Sequence, residues 1–262
     1  MGIDMQKLCC SAASVVLALG CLLALEVPPV AQDRPKSREV ATARLDNSFV
    51  LHDREEVKGD RVVSRGTWRS NPAGGMYGDV RHGRRVEYYD DGTMKLSMWY
   101  YMGFEHGPIQ EWYPNGQLKS ARSSVEGRAH GIARNWYENG QMQTECSFSG
   151  GRKAGTFKKW GEQGQQLEST EYEGDQRTGQ HNAWYENGSK KEAGEYVADL
   201  KHGRWTYWYQ NGQKQSEGEY QLFNPDGEEK VASRQIGEWN YWDEEGELTR
   251  TEDHGKPDPK DK

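Results

Sequence analysis

The sequence has few of the aliphatic side chains that fill a compact globular core. The residue types Ala, Val, Ile, Leu, Met, Phe, Trp, Tyr and Cys make up only 34% of the 262 residues. Glycine and tryptophan, by contrast, occur 31 and 10 times. A two-layered globule of this length would need more Leu, Ile and Val. The composition therefore favours a thin, repetitive sheet over a globule.

Cysteine is also scarce. Cys9, Cys10 and Cys21 lie near the N-terminus, and Cys146 is the only cysteine further along the chain. A single thiol cannot form an internal disulfide, so we expect a mature fold without disulfide bonds. We interpret Cys146 as a half-buried strand residue rather than a reactive thiol.

The chain has no excess of positive charge. Its net charge is -7, and residues 1–31 contribute -1 through Lys7, Asp4 and Glu26, which leaves -6 for the rest. Nucleic acids and anionic lipids both favour basic surfaces. The charge therefore predicts no nucleic acid partner, and a membrane contact only through the N-terminal segment. A protein partner is expected, and a carbohydrate remains possible.

Sequence motifs for catalysis are missing. We find no Gly-rich phosphate loop before a helix, no His-Glu-x-x-His, no Cys-x-x-Cys and no nucleophile elbow. Four histidines recur in register, but in successive repeats they would lie about 9–10 Å apart, too far to share one metal ion. We interpret them as turn residues, and we predict a protein without catalytic residues, metal or cofactor. They are His82, His106, His130 and His202.

The one long hydrophobic run extends from Leu8 to Leu25, between Lys7 and Glu26. Its length is intermediate between that of a signal-peptide core and that of a spanning helix. We therefore predict an apolar helix at residues 1–25 that acts as a signal peptide or an N-terminal membrane anchor.

The end of this run leaves a third alternative open. Residues 17–21 resemble a bacterial lipobox, which makes Cys21 a candidate for lipidation. Cleavage, retention and lipidation all imply export to the periplasm, the envelope or the medium. A cytoplasmic protein with an apolar start remains the other reading.

Glycine recurs at a fixed interval. The period is about 24 residues, which indicates an array of repeats. It holds from Gly83 to Gly203, and a seventh copy stands at Gly237. Each of these glycines is followed nine positions later by a second one. The first glycines, which number the repeats below, are Gly83, Gly107, Gly131, Gly155, Gly179, Gly203 and Gly237; the second are Gly92, Gly116, Gly140, Gly164, Gly188, Gly212 and Gly246.

The residues before the second glycine predict the local structure. Four repeats have Asn-Gly there and one has Asp-Gly, dipeptides that favour a tight two-residue hairpin turn. The flanking segments are rich in Trp, Tyr, Thr and Val and are long enough for one strand each. Each repeat is thus predicted to be a β-hairpin, with its first glycine forming the turn into it.

Aromatic residues form columns in this frame. Five positions after the first glycine stand one tyrosine and six tryptophans, and the next position is usually tyrosine. Adjacent strand residues point to opposite faces, so we expect the two columns on different sides of the sheet. The columns are Tyr88, Trp112, Trp136, Trp160, Trp184, Trp208 and Trp242, then Tyr89, Tyr113, Tyr137, Tyr185 and Tyr209, and on the return strands Tyr100, Phe148, Tyr172, Tyr196 and Tyr220.

The sequence divides into further segments around this array. Residues 26–47 have no apolar period and are predicted to be a disordered linker, and residues 48–78 a capping segment. The seven repeats occupy residues 79–250, and residues 251–262 are predicted to be a disordered tail. An insertion lies between Gly212 and Gly237, where we expect an extended hairpin.

The segment from Lys201-His202-Gly203 to Trp208-Tyr209-Gln210-Asn211-Gly212 resembles the MORN repeat, in the variant dominated by Tyr-x-Asn-Gly. The resemblance covers roughly residues 78–250. It implies an all-β fold, an elongated single-layer antiparallel sheet of tandem hairpins. It also implies a role in binding. Some bacterial proteins with this variant are described as antitoxin components of toxin–antitoxin systems.

Two functional hypotheses follow. The first is an exported repeat scaffold that binds a protein or polymer through an aromatic-lined surface; the second is an antitoxin-like inhibitor. Exposed rings can grip a peptide or stack on sugars, whereas buried rings would merely pack neighbouring hairpins. Both readings of the columns stay open. The candidate partner-binding residues are Tyr89, Tyr113, Tyr137, Tyr185 and Tyr209 with Trp112, Trp136, Trp160, Trp184 and Trp208.

Overall fold

A computed structural model describes residues 36–44, 50–70, 79–224 and 231–256. Within these ranges the chain forms strands and turns and no helix. The strands are β1 (Lys36–Arg44), β2 (Val50–Lys58), β3 (Arg61–Ser70), β4 (Val80–Tyr88), β5 (Met94–Tyr101), β6 (Phe104–Trp112), β7 (Leu118–Val125), β8 (Arg128–Trp136), β9 (Met142–Ser149), β10 (Arg152–Trp160), β11 (Gln166–Glu173), β12 (Gln176–Trp184), β13 (Lys190–Val197), β14 (Leu200–Trp208), β15 (Lys214–Phe223), β16 (Ala232–Trp242) and β17 (Leu248–Asp253).

All 17 strands belong to one sheet. Each strand pairs antiparallel with the next one in the chain, from β1 to β17. The prediction of an all-β, single antiparallel sheet is thereby confirmed. The predicted N-terminal helix and Cys21 lie outside the described residues. Among the residues described, we find no apolar helix of membrane-spanning length.

The turns at the second glycines differ from the predicted two-residue type. In the second repeat the Gly116 amide donates to the Tyr113 carbonyl at 2.9 Å, so Pro114 and Asn115 are the central residues. Only Gly116 has a positive φ, 84°. This is a three-residue hairpin loop, a type I turn followed by a left-handed glycine. Asn115 instead accepts a hydrogen bond from the Gln117 amide at 2.9 Å.

The two-residue turns lie at the other end of the strands, where the sequence predicted none. Met102 and Gly103 join β5 to β6, and both have positive φ, 51° and 88°. Two positive φ values define the type I′ turn, whose twist suits a hairpin. Four further turns of this form recur along the sheet, at Glu126–Gly127, Gly150–Gly151, Gly174–Asp175 and Ala198–Asp199.

The first glycine of each repeat is not a turn, which corrects a second prediction. Gly107 lies inside β6 with a φ of 90°. Between the pairs Met98–Ile109 and Tyr100–Glu105 the register shifts, so β6 carries a bulge there. A positive φ inside a strand suits glycine because it has no Cβ. The recurrent histidines, which directly precede these glycines, are therefore strand residues.

The segment predicted to be a linker contains a strand. β1 pairs with β2 over its whole length, from Lys36 opposite Val57 to Arg44 opposite Val50. An ion pair supports this pairing, since Arg38 contacts the Glu55 carboxylate at 2.6 Å. Arg65 on β3 contacts the same carboxylate at 2.7 Å. Sequence periodicity did not show the strand because apolar residues do not alternate along residues 36–44.

At the other end, β15 and β16 form the extended hairpin that the insertion predicts. The pairing continues beyond the usual repeat to Phe223 opposite Ala232. The Arg234 guanidinium lies over the Phe223 ring at 4.8 Å. β17 then pairs with β16 as far as Asp253, so the sheet extends beyond the predicted boundary at residue 250.

Candidate binding face

The register defines two faces of the sheet. Residues two positions after the first glycine share one side, because Ile109 lies directly opposite Met98 and Arg122 on its two neighbouring strands. We call this side the front face and the other the back face. The defining row of the front face is Arg85, Ile109, Ala133, Phe157, His181, Trp205 and Trp239.

The predicted tyrosine column links each repeat to the next. The Tyr113 hydroxyl donates to the backbone carbonyl of Trp136 at 2.9 Å. The same bond recurs from Tyr89, Tyr137, Tyr185 and Tyr209, at 2.7–2.9 Å. All five rings are half-buried. The column is thus part of the structural framework, and its contact with a partner stays a prediction.

The asparagines before the second glycines add a parallel set of bonds. Each donates its side-chain amide to a carbonyl oxygen in the next repeat, as Asn115 does to Glu138 at 2.9 Å. The fourth repeat lacks both the tyrosine and the asparagine. There Gly161 is buried, and a Cβ on it would lie 2.4 Å from the Gln165 amide nitrogen. The Gln165 side chain therefore occupies the space of the missing ring.

The tryptophan column does not form a stack of rings. Its members from Trp112 to Trp208 are half-buried. None of the aromatic contacts within the described ranges joins two of them. Equivalent residues of successive repeats are two strand spacings apart, about 9–10 Å, which is too far for stacking. The tryptophans therefore share a position in each repeat without contacting one another.

The main aromatic core lies elsewhere, in a position that sequence reasoning missed. Trp205 and Trp239 are 0% and 1% exposed. They pack on the front face with Tyr196, Tyr207 and Tyr220, at ring-centroid distances of 5.0–6.5 Å. The signal in the sequence is the residue two positions after the first glycine, which is tryptophan in the last two repeats. It was missed because this residue differs from repeat to repeat.

Glycines make room for these two indoles. A Cβ on Gly194 would lie 2.3 Å from the Trp205 ring, and one on Gly218 would lie 2.2 Å from the Trp239 ring. Each indole N–H donates to a backbone carbonyl beside that glycine, as Trp205 does to Glu195 at 3.1 Å. The large side chain and the missing one are therefore complementary across neighbouring strands.

A polar chain crosses the front face next to this core. Thr170 donates to Glu168 at 2.8 Å, so its hydroxyl oxygen accepts a hydrogen bond from Nδ1 of the buried His181 at 2.7 Å. The other ring nitrogen, Nε2, faces the Glu192 carboxylate at 3.5 Å. Hydrogen bonding with His181 is the largest of the effects that keep the pKa of Glu192 below its usual value.

The chain of contacts ends at Lys201, whose ammonium lies 3.8 Å from Glu192 and 2.6 Å from the Tyr207 hydroxyl. The Trp205 ring covers the ammonium at 4.1 Å. Burial lowers the pKa of Lys201 and raises that of Tyr207. Glu192 and Tyr207 both contact the Lys201 ammonium, so the network holds this charge in a fixed position on the front face.

Of the depressions lined by residues that the structure describes, three lie on the front face. Two, of about 180 and 460 Å³, share Glu111 and Lys119 in their walls and so adjoin each other. The third, of about 470 Å³, is lined by His181, Glu192 and Tyr196 among others. Four of the predicted site residues line the first and third of these: Tyr89, Trp112, Trp184 and Tyr185.

The back face carries a separate group of exposed rings near one tight turn. Trp99, Tyr101 and Phe104 are 44%, 58% and 61% exposed. The Tyr101 ring lies between His82 and His106, with centroids at 5.4 and 5.8 Å. No group of His, Cys, Asp and Glu in the described part of the chain is suited to holding a metal ion.

These features define a class of protein. The sheet consists of hairpins in register, and the tyrosine hydroxyls and turn asparagines join most repeats to the following one. The protein is therefore a β-hairpin repeat protein, in which each unit is stabilised mainly by its neighbours.

Comparison with protein families gives the particular type of repeat. The family model described as MORN repeat variant matches residues 105–123, 129–149 and 201–229. The chain is thus a MORN-repeat protein, as the resemblance predicted, and such repeats suggest a scaffold. No curated protein matches the chain.

Proposed function

We propose that the protein is a non-catalytic scaffold that binds a partner protein along the front face of its sheet. The observation that carries this proposal is the series of three depressions on that one face. They run from Glu87 in the first repeat to Tyr196 in the fifth. A series of depressions along one face suits an elongated segment of polypeptide better than one compact small molecule.

The chemistry of the depressions supports a polypeptide partner. Their walls carry both signs of charge, with Glu111 beside Lys119 and Glu168 opposite Lys159. Apolar side chains such as Phe157 and Leu167 lie between the charged ones. Mixed polar and apolar contacts of this kind are typical of protein interfaces.

The framework supports tight binding as well. The tyrosine hydroxyl bonds, of 2.7–2.9 Å, fix every repeat except the fourth relative to the one that follows it. A surface fixed in advance loses less conformational entropy when a partner binds. The predicted tyrosines at the rims, Tyr89 and Tyr185, would then contact the partner with the ring edges that the framework leaves accessible.

Photo-crosslinking tests which face binds. A benzoylphenylalanine replaces Lys119, an exposed residue in the wall of two front-face depressions, and in a matched variant it replaces the exposed Thr156 on the back face. We expect a partner adduct in cells of the source organism from the Lys119 position and none from Thr156. Equal adducts from both positions, or adducts from Thr156 alone, would contradict the proposal.

Export through residues 1–25 belongs to the same proposal, because the apolar run from Leu8 to Leu25 has the layout of a secretory leader. Cell fractionation with a C-terminal tag tests it. We expect the tagged protein in the periplasm, envelope or medium, with mass spectrometry showing which N-terminus it has. A protein found in the cytoplasm with Met1 intact would refute export and leave the binding proposal in place.

A further inference from the structure

Rings and cations alternate along the front face near the tight turns. The Lys153 ammonium lies over the Tyr172 ring at 4.9 Å, and the Arg177 guanidinium over the Tyr196 ring at 4.1 Å. Lys201 lies over Tyr220 at 5.8 Å, and in the first repeat Arg81 lies over Tyr100 at 5.3 Å. Each pair gains from the attraction of a cation to the face of a ring. We call this series the cation–ring ladder.

The ladder is interrupted in the second repeat. Ser124 stands where the other repeats among the first six have a tyrosine or phenylalanine, and Ala129 where the next three repeats have a cation. The neighbouring Glu105, which replaces another cation, binds Arg122 at 3.0 Å. Ser124 is fully buried, and its hydroxyl donates to the Arg128 carbonyl at 3.1 Å. Ser124 and Ala129 together form the gap in the ladder.

A depression of about 460 Å³ lies beside this interruption. Small side chains, Ala129 and Ala133, contribute to its lining, and Phe148 and Phe157 provide aromatic surface. Lys153, the first cation beyond the gap, also lines it. The depression thus has the same kind of neighbours that a ring has elsewhere in the ladder.

Basic residues in the wall of the depression outnumber acidic ones, although the whole chain is at -7. They are Lys119, Arg122, Arg134 and Lys153, against Glu111. The first three are paired with carboxylates, namely Glu111, Glu105 and Glu145. Within the ranges that the structure describes, Lys153 forms no ion pair. A cation without a carboxylate partner attracts an anionic ligand.

We infer that this gap in the cation–ring ladder receives an aromatic side chain flanked by acidic residues, presented by the partner protein. The ring would pack between Phe148 and Phe157, and its acidic neighbours would pair with Lys153 and Lys119. This inference rests on the proposed function and specifies the partner segment that the front face recognises.

Calorimetric titration of the full-length protein with synthetic peptides tests this inference. The first probe is a short peptide of Glu and Asp around one central Tyr; the second has Ala in place of Tyr, and the third has Lys in place of the acids. We expect the first to bind, the second at least about tenfold more weakly, and the third not detectably. Equal binding of the first two, or no binding of the first, would overturn the inference.

Matched variants locate the binding. Ala133→Trp fills the depression and should weaken the first peptide at least about tenfold. Ile132→Trp places the same ring on the back face, where residue 132 is 49% exposed, and should change nothing. Lys153→Glu reverses the unpaired charge and should also abolish binding. Circular dichroism checks that each variant is folded, and unchanged binding by folded Ala133→Trp and Lys153→Glu proteins would refute the site.

The outcome separates this inference from the proposed function. If the front-face crosslink at position 119 persists in the Ala133→Trp variant, the scaffold proposal stands and the acidic aromatic ligand is wrong. If the peptide binds as expected but neither face gives a crosslink, the ligand site stands and the proposed partner-binding function falls.

Discussion

The front face is filled at one end of the array and open in its middle. In the last repeats Trp205 and Trp239 are buried over Gly194 and Gly218. Around the third repeat Ala133 lines a depression instead. The backbone pairing is of the same kind in both places. Repetition therefore specifies the backbone, and the residues that vary between repeats decide whether the face forms a core or a groove.

Side-chain size is matched across neighbouring strands in several of these places. On the return strand of a repeat, one front-face residue lies beside the defining-row residue of the next repeat. In the last repeats an indole faces a glycine, which keeps the packing dense without moving the strands. These pairs are Gly194 with Trp205 and Gly218 with Trp239. Earlier in the array two side chains of similar size face each other, as Met98 faces Ile109.

The largest expected loss of stability comes from the last repeats, where tryptophans fill the front face. Trp205→Ala removes a ring that is 0% exposed and its hydrogen bond to Glu195. We expect the free energy of unfolding to fall by about 3–5 kcal/mol, measured by urea denaturation. Trp99→Ala, at an exposed ring of the back face, should cost less than about 1 kcal/mol. Similar losses in both variants would show that the last repeats are not the core.

A smaller loss is expected from the residue beneath the ring. A methyl group at Gly194 would overlap Trp205, so Gly194→Ala should lower the free energy of unfolding by about 1–3 kcal/mol. In a Trp205→Ala background the same substitution should cost little, because the overlap is gone. Thermal or urea unfolding of the four proteins measures this coupling. Purely additive losses would refute the complementarity.

The hydroxyl bonds of the tyrosine column should contribute equally in both regions. Tyr137→Phe in the middle and Tyr209→Phe near the end each remove one bond of 2.9 Å to a tryptophan carbonyl. We expect each to cost about 1 kcal/mol of unfolding free energy, measured by urea denaturation. A loss confined to one of them would mean that the framework differs between the open and filled regions.

The smallest effect is a pH dependence at the border of the two regions. Contact with His181 lowers the pKa of Glu192 in the folded state, so its charge stabilises the protein above the unfolded pKa, near 4.5. That contribution is lost as the pH falls through the lowered pKa. Glu192→Gln should therefore be less stable than the parent at pH 7 and equally stable at the lowest pH values, as measured by thermal unfolding. A constant difference at every pH would contradict this assignment.

The sequence predicted a sheet of hairpins but not the position and type of every turn. The spacing of the glycines and the Asn-Gly dipeptides predicted hairpins in register, because turn residues act locally. The same spacing led to a predicted turn at Gly107, where the structure has a bulge. It gave no indication of the tight turn at Met102 and Gly103. Glycine permits positive φ in a bulge and in a turn alike, so its presence does not distinguish them.

The candidate site was predicted only in part. Tyr89, Trp112, Trp184 and Tyr185 do line front-face depressions. The depression beside Ala133 was not foreseen, because its signal is the absence of a ring at Ser124 and of a cation at Ala129. Residues that are distant in the chain meet there only through strand pairing.

The sequence by itself determined the repeat, the strand count per repeat and the family to which the repeats belong, since these follow from local backbone preferences at fixed spacing. The tertiary structure alone decided which residues face each other across strands. It placed Trp205 over Gly194, bonded each tyrosine hydroxyl to the next repeat, and left the front face open beside Ala133. The pairing register of the strands determines these contacts, because a shift of one residue would exchange the two faces of every strand.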